Sequence, residues 1–561
     1  LRAEVPRPIY LVAEKILEAE EELPPEWGAK GTTGYDFANL ALRLLADPEG
    51  EAALTEAYRR FAGVEDGFAE IVRESKLQII EDEMASELTT LVNRLAAIAR
   101  SHPDTVDFSE AALRRVLAKI VADFSVYRTY IAAFPPSEID RRQIERAVRK
   151  ARGRHPNIDP AVFGFVRDVM TGDLGRDQDA VLECAMRIQQ YSGPVMAKGC
   201  EDTAFYRYNR LLALNEVGGD PGSFGIGIDA FHRIVERRAA SSPHTMLATS
   251  THDTKRGEDA RMRLVVLSEL ADEWARLVED WSATLHRRGG AGVLDPNDEY
   301  AFYQVLLGSW PVEFRGRRDL DPAALAAFRD RVEATVIKML REAKRHSFWA
   351  RPNTNYEAAA LGFIRDALDA EAEDGFLDGF MSFAEKLAAL GLRNTLIETV
   401  LKLTLPGVPD FYQGAELLDL SMVDPDNRRA IDFDLRARLL PVANVTLEGD
   451  GAAAKLAIIA RLLDLRRRFP ELFAEGSYEP IRVEGRNAHG ICAFVRRHGN
   501  AGLLVACRLD WSPSSDPLES PVLNLPDMPR ETWCDALAES DVLPASLQTA
   551  LSRLPVAAFY W

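Results

Sequence analysis

The chain has 561 residues, of which 47% are hydrophobic and 28% charged, with a formal net charge of −19. That length exceeds one ordinary core, so roughly two to four domains are expected of a globular rather than disordered chain. The acidic excess argues against non-specific binding to nucleic acid or to an anionic membrane surface, and it suits a neutral substrate.

No apolar run approaches the ~20 residues of a membrane span. The start, LRAEVPRPIYLVAEKILEAEEELP, lacks the charged-then-apolar pattern of an export signal and does not begin with Met. The expectation is a cytoplasmic chain with a cut N-terminus. Five cysteines (Cys184, Cys200, Cys492, Cys507, Cys534) are scattered without a C-x-x-C pair, and the nine histidines form no H-x-x-x-H pair. Neither a disulfide framework nor a metal site is expected, and no cofactor motif stands out.

In chain order, IYLVAEKI at 9–16 reads as a strand, and long amphipathic stretches then occupy 40–185. In ALRRVLAKIVADF the apolar set Leu113, Val116, Leu117, Ile120, Val121 and Phe124 recurs at three and four residues, one helical face, with Ser109 placed as N-cap. GPVMAKGCEDTAFYRY at 193–208 and TMLATSTHDTKRGED at 245–259 read as short strands ending in polar clusters. Amphipathic helices follow over 258–400, then a third such strand in LPGVPDFYQGAE at 405–416. From about 476 the runs EPIRVEG, GICAFVRR and AGLLVACRLD, punctuated by Arg486-Asn487 and Gly499-Asn500, predict an antiparallel β-domain. Short strands separated by much helix predict a parallel α/β sheet or barrel, whose chemistry sits at the carboxyl ends of the strands.

Two clusters stand at such ends. Glu14 follows Ile9-Tyr10-Leu11-Val12, where burial would raise its pKa and suit it to general-acid work; the plainer reading is an ion pair with Lys15 or a distant Arg. Thr251-His252-Asp253-Thr254-Lys255-Arg256 closes the strand at 245–250 and could bind sugar hydroxyls and stabilise positive charge. Its plainer reading makes Asp253 an N-cap, with Lys255 and Arg256 on the first helical turns. Two carboxylates flanking one bond are the requirement of glycoside chemistry. Sequence alone does not pair residues ~240 apart, because only a fold brings them together.

YLVAEKILEAEEELP with GTTGYDF at 31–37, GPVMAKGCEDTAFYRYNRLLALNEVGGDP at 193–221, STHDTKRGEDAR at 250–261 and LPGVPDFYQGAELLDLSMVDPDNRRAIDF at 405–433 together resemble the maltooligosyl trehalose synthases of the α-amylase superfamily. The resemblance spans essentially the whole chain. It implies an α/β fold, a (β/α)8 TIM-type barrel of which only strands five to eight are present, with large helical insertions and a C-terminal antiparallel β-domain. The segments implied are 1–45 (barrel, acid/base strand), 46–185 (helical insertion), 186–257 (strands six and seven), 258–400 (helical insertion), 401–470 (strand eight and last helix) and 471–561 (β-domain).

By the same resemblance Glu14 is the general acid/base and Asp253 the transition-state stabiliser. His252, Lys255, Arg256, Tyr35, Asp36, Lys198, Glu201, Asp202, Tyr412 and Gln413 line the sugar site, with Asp410 beside the last two. Lys198, Glu201 and Asp202 would end strand six. The implied substrate is a maltooligosaccharide, converted by intramolecular transglycosylation to its trehalose-ended isomer. The family's nucleophile, an Asp in a G-x-R-x-D-H type block, and its D-x-V-x-N-H type block occur nowhere in this sequence. The chain alone is therefore expected to be inactive, and to need a missing N-terminal half or to self-associate through exposed strand edges. An α-1,4-glucan hydrolase or glucanotransferase and a non-catalytic glucan-binding fragment are the alternatives.

Overall fold

The structure is a computed structural model that describes residues 7, 9–18, 21–288, 294–316, 320–447, 451–484, 490–509, 522–523, 533–537 and 547–561. The apolar stripe at 113–121 forms the buried face of the helix Glu110–Ala122, and the Ser109 hydroxyl accepts the Ala112 N–H at its start. Five further helices, from Phe68–Asp82 to Gln178–Met196, share one core with it. A second, larger core joins the helices between 258 and 404 through an aromatic lattice of Trp274, Trp281, Trp310, Tyr300, Phe376 and Phe380.

Between these helical masses runs a small parallel arc. Ala13 bridges Thr32 in parallel, the Met246 N–H donates to the Thr32 carbonyl at 3.1 Å, and Met246–Leu247 pairs in parallel with Val408–Pro409. The order across the arc is therefore the Ala13, Thr32, Met246 and Val408 segments. Strand two of this arc is a correction. The sequence reading puts the second strand at 193–208, but that run continues the helix Gln178–Met196 into a π-helical turn, Ala197–Glu201. Ile188, Tyr191, Val195 and Met196 recur at helical spacing and are all buried, so period rather than apolar content decides the element. No strand precedes Met246 in 186–257 among the described residues.

The arc is close-knit because GTTG lets it be. A Cβ on Gly31 would sit 2.3 Å from the Thr245 Cβ. Gly34 adopts φ 102°, and a Cβ there would meet the Ala248 nitrogen at 2.5 Å.

The C-terminal sheet has five antiparallel strands in the order Glu479–Pro480, Ile491–His498, Ala501–Arg508, Val556–Tyr560, Cys534–Asp535. His498 pairs with Ala501, so Gly499-Asn500 is the two-residue hairpin loop foreseen, with Gly499 at φ 57°. The other expected turn, Arg486-Asn487, lies outside the described residues. Arg496 of this sheet and Arg466 of the helix Ala452–Arg468 brace the chain that leads into the arc. Arg496 donates to the Thr404 carbonyl at 3.1 Å, and Arg466 donates to the Leu403 and Gly407 carbonyls at 2.9 and 3.0 Å. They satisfy the carbonyls at the end of the helix Phe376–Thr404 and fix the turn into Val408. All five cysteines are free, and no described helix is long and apolar enough to cross a membrane.

Gly34→Ala forces a positive-φ alanine against the Ala248 backbone and is expected to destabilise the protein by about 2–4 kcal/mol. A lowered urea midpoint with unchanged slope checks this.

Candidate active site at the ends of the parallel strands

The carboxyl ends of the four segments carry Glu14, Tyr35, the 250–256 loop and Asp410. Glu14 is exposed, not desolvated as the sequence reading expects. Lys15 is taken by Glu21, with Nζ–O distances of 2.9 and 3.0 Å, and Glu14 makes no ion pair among the described residues. The structural explanation for Glu14 thus falls away.

The 250–256 loop is built from below. Glu216, which the sequence reading passes over, is buried. Its carboxylate accepts the Lys255 N–H at 2.8 and 3.0 Å, the Arg256 N–H at 3.2 Å and the Arg261 guanidinium at 3.1 Å. From the other side the Asn427 amide donates to the His252 carbonyl at 3.2 Å. Held this way, His252 and Asp253 stand exposed. Asp253 caps no helix: the helix Glu258–Leu264 starts after Gly257 with no side-chain cap.

Beneath the loop lies a buried ionic cluster. The Lys455 ammonium sits 2.6 Å from Glu258 and 2.7 Å from Asp259, and Lys402 lies 2.6 Å from the Thr249 hydroxyl and 3.4 Å from Glu258. Burial opposes ionisation of Glu258, but Lys402 and Lys455 overcome it and hold its carboxyl well below the usual range. Asp259 also accepts the Asp419 N–H at 2.6 Å, and Asp419 in turn accepts from the Ser250 hydroxyl at 3.2 Å. The strand end is pinned to a rigid block.

Tyr35 joins the two carboxylate-bearing ends. It is buried, and its hydroxyl lies 3.3 Å from the Thr251 hydroxyl. Burial raises its pKa to about 12. The Thr251 hydrogen bond opposes that rise, and the charges of Asp253, Glu14 and Glu216 add to it. One phenol therefore feels both Glu14 and Asp253.

The remaining expected site residues divide. Lys255 is buried and reaches Asp202 at 3.0 Å; Asp202 also binds Lys198 at 2.6 Å. Lys198 and Asp202 sit on the helical wall beside the arc, so that only Lys255 of this string comes from a strand end. Glu201 is buried against the Tyr127 hydroxyl. Burial pushes its pKa up to about 8 against the pull of Lys255, with Asp253, Asp202 and Glu216 adding to the rise. Tyr412 is half-buried and Gln413 exposed, both following Asp410, whose N–H donates to the Leu247 carbonyl at 3.0 Å.

Two residues leave the sugar-site group. Asp36 accepts from Thr32 at 2.7 Å and lies 3.6 Å from Arg238, so it fastens its own helix to the arc. Arg256 is buried and donates to the Leu212 and Asn215 carbonyls at 3.2 and 3.4 Å, a backbone brace.

Asp295, Asp298 and His346 form a group of metal-ligand type among the described residues. His346 Nε2 lies 3.1 Å from Asp295, which caps the helix Pro296–Ser309, and the Tyr356 hydroxyl donates to Asp298 at 2.6 Å. These bonds already account for the group.

Acidic residues at the carboxyl ends of parallel strands, walled by helices and followed by an antiparallel sheet, define a helix-rich α/β protein with a polar cleft. No protein-family model matches the chain. A protein of Mycobacterium tuberculosis, provisionally named a maltooligosyl trehalose synthase, is 34% identical over 532 residues, 94% of this chain and 62% of its own length. The solved maltooligosyltrehalose synthase of Arthrobacter ramosus is 32% identical with a TM-score of 0.81, over 98% of this chain and 66% of that one. A Sulfolobus tokodaii structure titled hypothetical maltooligosyl trehalose synthase is 30% identical, with a TM-score of 0.70, over 88% and 60%. The chain belongs to the maltooligosyl trehalose synthase family and spans less than two thirds of the length of these relatives.

Replacing Lys455 by Met leaves Glu258 and Asp259 without their shared cation and is expected to cost about 3–5 kcal/mol of stability, read from the denaturant midpoint. Glu201 gives a pH signature. Its folded pKa of about 8 exceeds the ordinary 4.5, so between those values the folded state keeps a proton the unfolded chain releases. Its contribution to stability is thus present below pH 4.5 and falls as pH rises to about 8. Glu201→Gln is expected to flatten the decline in melting temperature over that window.

Proposed function

We propose that this chain carries the acid/base part of an intramolecular transglycosylation converting the reducing-end α-1,4 linkage of a maltooligosaccharide to an α,α-1,1 linkage, in trehalose biosynthesis. The single observation that carries the reading is that the parallel pairing of the Ala13, Thr32 and Met246 segments brings Glu14, Tyr35 and the 251–253 loop to the same strand ends, with the Tyr35 hydroxyl 3.3 Å from the Thr251 hydroxyl. The four parallel segments are strands five to eight of a barrel, with Thr32 rather than the 193–208 run as strand six.

Glu14 protonates the 4-hydroxyl leaving from the anomeric carbon of the penultimate glucose. It then takes the proton from the anomeric hydroxyl of the freed glucose as that sugar, turned in place, attacks the glycosyl intermediate. Asp253 stabilises the oxocarbenium-like charge, and His252 binds a sugar hydroxyl. Lys255, Lys198, Asp202 and Glu201 line the wall against which the freed glucose is held away from water. Tyr412 and Gln413 close the far side.

The covalent intermediate needs a nucleophilic Asp that the family's block would supply and this sequence does not contain. These 561 residues are therefore expected to be inactive without the segment that carries the block. Large exposed apolar residues at Phe433, Leu440 and Val442, at 63%, 50% and 69%, suit an associating surface, whether toward that segment or a second copy.

Incubation of the 561-residue chain with maltopentaose, following reducing ends and product mass, tests this. No change is expected. Loss of reducing ends at unchanged mass would keep the synthase reading and overturn the need for an outside nucleophile. Free glucose with shorter chains would replace it by the hydrolase or transferase reading.

A further inference from the structure

A second cavity, of about 490 Å³, lies between the end of the helix Glu258–Leu264 and the middle of the helix Phe376–Thr404. None of Glu14, Tyr35, His252 or Asp253 lines it. Its size falls within the range of small-molecule sites.

Arg263 lines the cavity and is 6% exposed. The helix packed over it is cut back to admit its stem: a Cβ on Gly391 would lie 2.8 Å from the Arg263 Cα and 2.9 Å from its Cγ. Among the described residues its guanidinium makes one hydrogen bond, from Nη1 to the Trp310 carbonyl at 2.6 Å, and no ion pair. Asp259, the acid whose charge acts on Arg263, is committed to Lys455 at 2.7 Å and to the Thr395 hydroxyl at 2.7 Å. A second guanidinium, Arg315, lines the same space. Burial lowers the Arg263 pKa to about 10, with Asp259 opposing and the Arg315 charge adding, so it stays charged at neutral pH.

A buried cation without a carboxylate partner is costly, and here its spare N–H groups open on a cavity. The planar Arg263 fork calls for an oxyanion of phosphate type, which accepts from it in bidentate fashion. The rest of the lining differs in character. Trp310, Phe314 and Met381 offer apolar surface for the face of a sugar ring, and the exposed Asp378, Ser382 and Glu385 offer groups that bind hydroxyls.

We infer that this cavity is a binding site for a phosphorylated monosaccharide, its phosphate on Arg263 and its hydroxyls on Asp378, Ser382 and Glu385. The inference does not rest on the proposed reaction.

Calorimetric titration of the full chain with glucose 6-phosphate tests it, with inorganic phosphate and glucose as comparison probes. One saturable site is expected, with phosphate at least ~10-fold weaker and glucose without measurable heat. Arg263→Gln, which removes the charge and the guanidinium fork, should weaken binding at least ~10-fold. Ser382→Trp, at an exposed position, should abolish binding by filling the cavity while leaving the buried charge in place. The site is overturned by no saturable binding to the wild-type chain, or by unchanged affinity in the folded Ser382→Trp variant. Glucose binding as tightly as its phosphate would overturn the anion assignment, and inorganic phosphate binding as tightly would overturn the sugar.

Discussion

Everything at the cleft rests on charges that never see water. Lys455 and Lys402 hold Glu258 and Asp259 under the Thr249–Ser250 strand end, and Glu216 with Arg261 holds the following turn. Each of these side chains is at most 2% exposed. Taking so many ions out of water costs several kcal/mol each, and an apolar core of equal volume would be as stable or more so. What the ions supply is direction. A methyl group packs equally well over many small rotations, whereas an ammonium shared by two carboxylates and a carbonyl has one good position. The Asp253 backbone inherits that position through Glu216 and Asn427.

This design separates two tasks that compete within one short loop. His252 and Asp253 stay exposed and keep their polar groups unspent, while the residues on either side of them give theirs entirely to structure. Arg256, one of the most functional-looking residues in the sequence, spends its guanidinium on two backbone carbonyls. Glu216, which looks like an ordinary acid between Asn and Val, is what sets the loop.

How much of this was legible follows from the same distinction. The amphipathic helices and the Gly499-Asn500 hairpin could be read because period and turn chemistry are local properties. The strand ends at Glu14, Asp253 and Asp410 could be read from apolar runs giving way to polar clusters. The 193–208 run was misread because an apolar stretch with a Gly-Pro start resembles a strand, while its buried set at 188, 191, 195 and 196 keeps helical spacing. The true second strand, GTTG, is too short and too poor in apolar residues to announce itself. It exists because its glycines let neighbouring backbones close in, which is a tertiary fact. The roles of Glu216 and Asn427, and of Asp36 toward Arg238, depend on partners 39 to 202 residues away, and no local pattern encodes them.

Arg496 shows how the parts of the chain are bound to a common fate. Its guanidinium gathers the carbonyls of Thr404, Leu472, Phe473, Gly476 and Ser477, and it lies within the sheet strand Ile491–His498. One side chain thus closes the end of the long helix that feeds the fourth parallel segment. The antiparallel sheet is for that reason not an accessory that could be trimmed away or exchanged between relatives as a cassette. A graft that kept its outline and lost this one cation would take a donor from five carbonyls, the buried Thr404 and Phe473 among them, and the disturbance would surface at Asp410, on the far side of the turn.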